Sequence, residues 1–175
     1  PETLHQIVKQ AQADIVVVCN WPVLDNMQVD DLDIPIVLDQ HGPHYLEREY
    51  NKFGQADDNA NRKINALRKA DFFTCAGHKQ LAYFQDWMER AGWSIRERQE
   101  RAAAIPVSLS PDLPERNPSD ELSFVYGGVF LPWQDPSRAL LALVQALDAR
   151  KQGKLYFYGG KHPVYDVDSG IFDKL

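Results

Sequence analysis

Short apolar runs alternate along this chain with amphipathic stretches whose apolar residues recur at helical spacing. Residues 2–12 have this helical spacing, and the β-branched run 15–19, which shows no polar alternation, follows directly. The pattern predicts a helix and then a strand that is buried on both faces of a parallel sheet. The polar and acidic residues 20–33 are predicted to form a loop.

The same alternation continues through the first two thirds of the chain. Strands are predicted over 35–38, 71–75 and 102–107, and helices over 57–69 and 78–91. In the helix over 57–69, Ile64 and Leu67 share one face, and the basic residues Arg62, Lys63, Arg68 and Lys69 lie elsewhere. Repeated β-loop-α units predict a parallel sheet with flanking helices, as in Rossmann-like folds.

Residues 108–120 hold three prolines and interrupt this alternation, as is typical of an interdomain linker. A strand over 122–126, a helix over 137–149 and a strand over 155–158 are predicted after it. We therefore predict parts of two Rossmann-like α/β domains, over 1–107 and 121–175. An open parallel sheet of two strands is too small for both of its faces to be well covered. We therefore expect the second domain to be truncated and the natural protein to continue past residue 175.

The charge balance limits the classes of partner. Nineteen basic and twenty-five acidic side chains give a net charge of −6, and neutralising nucleic-acid phosphates needs a basic surplus, so no nucleic-acid partner is expected. No apolar run approaches the roughly 20 residues that cross a bilayer. Cys19 and Cys75 each end an apolar run and are predicted to be buried thiols. We expect a cytoplasmic protein, and peripheral association with the inner membrane face stays open.

Ligands of open α/β sheets bind beyond the carboxyl ends of the strands, and several segments are predicted to lie there. The first is the loop after the strand over 35–38, where Gly42 permits a strained turn that would present His41 to a cleft. An imidazole in that place can bind a sugar hydroxyl or a phosphate, or move a proton. An ordinary loop histidine is the alternative.

Two glycine pairs follow the strands predicted in the second half. Backbone N–H groups at Gly127 and Gly128 can approach a diphosphate closely, although a turn that only needs positive φ explains them equally. Gly159 and Gly160 form a second predicted turn, and Lys161 beside them is a candidate partner for a phosphate, or else a solvated loop lysine.

Other residues that carry chemistry are few. Trp133 is a large aromatic in a predicted loop and can stack on a base or close the core, while Asp135 before Pro136 is typical of a helix start. His5 and His78 are isolated on predicted helices, and no HExxH or CxxC pattern occurs, so no metal site is predicted.

The order of these segments resembles the middle of a glycosyltransferase family 4-type enzyme, which has two Rossmann-like domains in the GT-B arrangement. Corresponding segments cover most of the chain: the strand and His-bearing loop over 35–42, the basic helix over 61–69, the strand and helix over 70–88 and the Ile-Pro crossing over 105–108. Two ordered motifs are the most specific: GG-x4-W-x-D-P, formed by Gly127, Gly128, Trp133, Asp135 and Pro136, and GG-x-H-P, formed by Gly159, Gly160, His162 and Pro163.

The resemblance implies a retaining transfer of a sugar from a nucleotide-sugar to a sugar, lipid-linked or other small acceptor, without a metal or other cofactor, in surface polysaccharide assembly. It implies that the donor binds mainly against the second domain and the acceptor against the first. His41 then faces the sugar as the catalytic candidate. Gly127, Gly128, Trp133, Gly160 and Lys161 are the candidates for binding the donor.

Departures from the family pattern leave other functions open. The Arg and Lys that usually grip the donor diphosphate correspond to Gly128 and Gln134, and the usual Asn-Gly after Ile-Pro is Val107-Ser108. The acidic segment for the nucleotide would lie beyond residue 175, so this chain is expected to be inactive alone and able to dimerise through exposed half-sheets. The alternatives are a GT-B-type nucleotide-sugar epimerase and a non-catalytic α/β interaction domain.

Overall fold

The chain forms two compact units, Pro1–Ser110 and Pro111–Leu175. The computed structural model describes residues 4–30, 32–52, 55–108, 110–113, 115, 120–129, 131 and 135–160. The first unit contains helices α1 Leu4–Ala11, α2 Trp21–Asp25, α3 His44–Tyr50, α4 Ala56–Arg68, α5 His78–Arg90 and α6 Ile95–Glu100. Its strands are β1 Val16–Cys19, β2 Ile36–Gln40, β3 Phe72–Cys75 and β4 Ala102–Ala104. The second unit contains β5 Ser123–Val129, α7 Ser137–Arg150 and β6 Lys154–Gly160.

Both sheets are parallel, which confirms the α/β class that the alternating pattern predicts. The first sheet has the order β1-β2-β3-β4, and the second pairs β5 with β6. In the first sheet Cys19 pairs with Asp39, and Asp39 pairs with Thr74 on its other side. The boundary between the two units falls inside the predicted linker 108–120.

A short helix occupies part of the segment 20–33 that the sequence predicts to be a loop. In α2, Pro22 lies in the first turn, where its missing N–H costs no hydrogen bond. Trp21 and Leu24 of this helix are buried in the core of the first unit. The prediction of a loop is wrong for these residues, because a helix of five residues is too short to show a helical period in the sequence.

The first sheet is buried on one face, whereas the sequence predicts burial on both. The buried positions alternate along β2, where Ile36, Leu38 and Gln40 are buried and the residues between them are half-buried. Leu38 and Phe73 pack in a core with residues of the surrounding helices. On β1, in contrast, Val17 is 60% exposed. The β-branched run therefore reflects strand propensity more than burial.

Lys63 is fully buried on α4, although the sequence pattern places it away from the apolar face of Ile64 and Leu67. Its ammonium group is 4.3 Å from the ring centroid of Trp87, 4.7 Å from that of Tyr83 and 5.2 Å from that of Phe84, all on α5, and Nζ is 3.5 Å from the Tyr83 hydroxyl. The Tyr45 ring on α3 lies 5.9 Å away. Burial, and to a lesser extent the nearby charge of Arg90, lowers the pKa of Lys63 to about 7.

Lys69 ties the helical layer to the end of α2. Its Nζ donates hydrogen bonds to the carbonyl oxygens of Leu24 at 3.2 Å, Asp25 at 2.8 Å and Met27 at 2.8 Å. These carbonyls belong to the last residues of α2 and the turn after it, and that of Leu24 also accepts from the Met27 amide at 3.1 Å. A cation in this place satisfies them and complements the negative end of the helix dipole.

We expect Lys69→Met to lower the free energy of unfolding by about 2–3 kcal/mol, because three carbonyl oxygens lose a charged donor. Urea denaturation of the two proteins measures the difference. Lys79→Met on α5 is the matched control, since Lys79 is exposed. Equal losses in the two variants would show that the three bonds to Lys69 contribute nothing specific.

The second unit is built on the predicted strands, but both strands are longer than expected. The prediction places Gly127-Gly128 and Gly159-Gly160 in turns after the strands, whereas β5 continues through Val129 and β6 through Gly160. Leu140 of α7 is buried against Tyr126 and Leu155. The helix starts as the Asp-Pro pair suggests, because the amide of Ser137 donates to the Asp135 carboxylate at 2.9 Å.

None of the helices in the described part of the chain is long and apolar enough to cross a membrane.

Candidate functional site

Polar side chains meet at the carboxyl edge of the first sheet. The parallel register places Asp39 of β2 between Cys19 of β1 and Thr74 of β3. His41 follows Asp39 by two residues, the strand repeat that returns a side chain to the same face. Register and repeat together explain why side chains from three strands gather beside His41.

Hydrogen bonds fix the orientation of the Asp39 carboxylate. The Thr74 hydroxyl donates to Asp39 Oδ1 at 2.6 Å, and His41 Nε2 lies 2.6 Å from Asp39 Oδ2. The Asp39 side chain is 32% exposed and that of His41 is 59% exposed. The imidazole is thus held through one nitrogen by a positioned carboxylate while most of the ring remains open to solvent.

Asn20 links the ends of β1 and β2. Its backbone amide donates to the Asp39 carbonyl oxygen at 2.8 Å, and its Oδ1 accepts from the His41 amide at 3.3 Å. Asn20 has φ 67° and ψ 144°, a strained backbone conformation outside the left-handed helical region. This residue therefore sets the position of the His41 backbone as well as the turn into α2.

A cleft of about 690 Å³ opens beside these groups. Its polar side consists of Asp39, Gln40, His41 and Thr74, and the rest is formed mainly by apolar or small residues: Val17, Val37, Ala76, Ile105, Pro106, Val107 and Ser108. None of these described lining residues is Lys or Arg. The cleft therefore suits an uncharged, hydroxyl-bearing group better than a diphosphate.

Gln40 adds an unusual feature to the cleft wall. Its side chain is only 1% exposed, and neither its amide nitrogen nor its amide oxygen has a hydrogen-bond partner in the described part of the chain. A buried amide without partners costs several kcal/mol in an apolar environment, on the order of 2–7. Such groups are uncommon in native proteins and mark places where a further polar partner can bind.

Cys19 is exposed, which corrects the prediction that both thiols are buried. Cys75 is buried as predicted, and burial raises the pKa of its thiol. Cys19 is the last residue of β1, at the edge of the described sheet, and its side chain lies on the more exposed face of that strand. The apolar run in the sequence therefore did not imply that this thiol is buried. Cys19 Sγ, an Asp39 carboxylate oxygen and a His41 ring nitrogen all lie within 4.8 Å of one another.

The two glycine pairs of the second unit lie side by side. Gly128 pairs with Gly159, Gly127 with Tyr158, and Gly160 with Val129 in the parallel register. Gly128 has φ 147° and Gly159 has φ 139°, conformations that favour glycine. The structure thus brings together the three glycines predicted to bind the donor, at the carboxyl ends of both strands.

Two predicted donor-binding residues, Trp133 and Lys161, lie outside the described residues. His41 lies in the first unit, and Gly127, Gly128 and Gly160 lie in the second. The sequence pattern indicates a role for His41 but none for Asn20, Asp39 or Thr74. The two-residue spacing of Asp39 and His41 was the one available signal, because an acidic residue and a histidine at this spacing on a strand share a face.

No protein-family model matches this sequence, and no curated protein matches it either.

Proposed function

We propose that this chain is the central part of a retaining glycosyltransferase of the GT-B type, which transfers a sugar from a nucleotide-sugar to an acceptor in surface polysaccharide assembly. The observation that carries the proposal is the imidazole of His41, oriented by Asp39 and Thr74 at the carboxyl edge of a parallel sheet. Ligand sites of open α/β sheets lie at this edge. The sequence resemblance to glycosyltransferase family 4 supplies the reaction class.

The cleft in the first unit fits the sugar side of such a reaction. Its lining is neutral apart from Asp39 and His41, and it combines apolar walls with hydrogen-bonding groups. Asp39 holds one ring nitrogen of His41, so the other nitrogen is free to exchange a hydrogen bond with a sugar hydroxyl. In this proposal His41 binds and orients the sugar.

The glycines of the second unit fit the diphosphate side. A Cβ atom built on Gly127 would lie 3.9 Å from its nearest neighbour, the Tyr158 carbonyl oxygen, so the backbone there is not crowded by the protein itself. Uncrowded backbone N–H groups at a strand end can approach phosphate oxygens closely. In this proposal the nucleotide-sugar is the donor substrate, and neither a metal nor another cofactor takes part in the transfer.

The donor-binding part is tested with Gly127→Ala in the full-length protein. The added methyl group has space within the fold, so we expect unchanged folding but at least ~10-fold weaker binding of the nucleotide-sugar, about 1.4 kcal/mol. A thermal-shift panel of UDP-, GDP-, ADP- and CDP-sugars first identifies the donor through concentration-dependent stabilisation. A flat response across the panel from folded protein would instead favour a non-catalytic interaction domain.

The catalytic part is tested with His41→Ala. Because the His41 side chain is largely exposed, we expect little loss of stability but a fall in turnover of roughly 100-fold with the donor found by the panel. His78→Ala is the control, since His78 is an exposed histidine at the start of α5. Equal turnover in the His41 variant and the parent would remove this residue from the reaction.

A further inference from the structure

Three side chains that are typical metal ligands converge at the end of the first sheet. The thiol sulfur of Cys19, a carboxylate oxygen of Asp39 and a ring nitrogen of His41 lie within 4.8 Å of one another. Cys19 and Asp39 are register partners on adjacent strands, and His41 is two residues beyond Asp39. The convergence thus follows from strand pairing and does not depend on the rotamer of one long side chain.

From this geometry we propose that Cys19, Asp39 and His41 form a binding site for Zn²⁺ or a similar borderline divalent cation, with one coordination position left open. Thiolate, imidazole and carboxylate are the three side-chain ligands that zinc takes in proteins. This inference does not rest on the proposed glycosyltransferase function. Because it uses Asp39 and His41, a bound cation would replace the contact between them and so compete with the metal-free transfer proposed above.

The distances fit a site that closes on binding. Ligand atoms around a tetrahedral zinc ion are about 3.5 Å apart, given bonds of roughly 2.0–2.3 Å. To bind a metal ion, the ligand atoms that are farthest apart would have to move about 1 Å closer together. His41 Nε2 and Asp39 Oδ2, now 2.6 Å apart, would have to move farther apart. Cys19 and His41 are exposed, so their side chains have room to make these shifts.

The surroundings hold the carboxylate ready for a cation. Thr74 donates to Asp39 Oδ1, which leaves Oδ2, the atom beside the imidazole, as the oxygen for the metal. Hydrogen bonds of this kind orient ligands and raise metal affinity. No lysine or arginine lines the adjacent cleft in the described part of the chain, so no nearby fixed cation opposes a divalent ion.

Binding replaces protons with the metal ion. The Cys19 thiol releases its proton to solvent as the sulfur coordinates, and the imidazole coordinates through a neutral nitrogen. The carboxylate of Asp39 enters ionised.

Cobalt titration of the metal-free protein tests the site directly. With Co²⁺ alone as the probe, we expect saturable binding of one ion and a near-ultraviolet band from thiolate-to-cobalt charge transfer. Cys19→Ser should abolish this band, and His41→Ala or Asp39→Asn should weaken binding at least ~10-fold. Thr74→Val should weaken binding by a similar factor, because the Asp39 carboxylate loses the hydrogen bond that orients it.

Two matched controls separate the cluster from the other thiol and from other imidazoles. Cys75→Ala removes the buried thiol of β3, and His78→Ala removes an exposed histidine outside the cluster. Both should keep the charge-transfer band and the cobalt affinity, with folding checked by circular dichroism. Absence of the band in the parent protein, or its persistence in Cys19→Ser, would overturn the proposal.

Discussion

Lys63→Met is expected to raise the free energy of unfolding by about 1–4 kcal/mol near pH 6, because a buried ammonium is replaced by an apolar side chain of similar length. Lys63 is fully buried, and no carboxylate in the described part of the chain lies in an ion pair with it. The aromatic rings around its Nζ favour the charged form and offset part of the cost of burial. A methionine in the same space keeps favourable contacts with these rings.

The same residue should make stability depend on pH. The pKa of Lys63 is about 7 in the folded chain and 10.5 ordinarily, so between these values the unfolded chain binds one more proton. The free energy of unfolding therefore rises with pH in this window, by about 1.4 kcal/mol per pH unit. Below pH 7 the folded chain bears the full cost of burying the protonated Lys63 side chain. Burial raises the pKa of Tyr45 and Tyr83, which reverses the trend above about pH 10.

Urea denaturation at pH 6, 7, 8 and 9 measures both effects. The parent should gain stability between pH 7 and pH 9, and Lys63→Met should lose most of this gain. Lys79→Met removes an exposed lysine and should keep the slope of the parent. The same slope in the parent and in Lys63→Met would show that Lys63 stays protonated throughout this range.

Gly159→Ala is expected to disrupt the pairing of β5 with β6, at a cost of about 3 kcal/mol or more to the second unit. A Cβ atom at this position would overlap the backbone carbonyl of Gly128 on the neighbouring strand. The residue also has φ 139°, which side chains with a Cβ rarely adopt. Neither problem can be relieved by rotating a side chain, because both involve backbone.

Hydrogen exchange of the strand amides measures this prediction. Gly159→Ala should reduce protection over Ser123–Val129 and Lys154–Gly160 while the sheet of the first unit keeps its protection. Gly127→Ala is the matched control, because its nearest neighbour would be 3.9 Å from the new carbon. Equal protection in both variants would mean that the two strands can separate locally to admit the methyl group.

Much of the fold follows from local patterns in the sequence. The apolar runs predicted the six strands of the described residues, and helical patterns predicted α1, α4, α5 and α7 within a few residues. The patterns failed where tertiary contacts decide the outcome. The sequence patterns missed α2, because its two buried residues, Trp21 and Leu24, are too few to show a period. They also ended β5 and β6 before the glycine pairs, although the glycines continue both strands.

The candidate site could be predicted only in part. His41 was recognisable because a histidine beside glycine at a strand end is a common functional arrangement. Asp39 carried one signal, its two-residue spacing from His41. Cys19 and Thr74 were not recognisable, because each is twenty residues or more from Asp39 and meets it only through the strand register. The unpartnered amide of Gln40 could not be predicted either, since burial of both its polar atoms depends on packing.

The sequence by itself determined the α/β class, the parallel pairing and the division near residue 110, because these follow from short-range periodicity and from a cluster of prolines. Only the tertiary structure decided that Lys63 is enclosed by aromatic rings while Cys19 is exposed. Both residues contradict their local pattern: a lysine on a polar helix is expected outside, and a cysteine after three valines is expected inside. The environment of a side chain depends on which distant elements pack against it, and a local period carries no information about them.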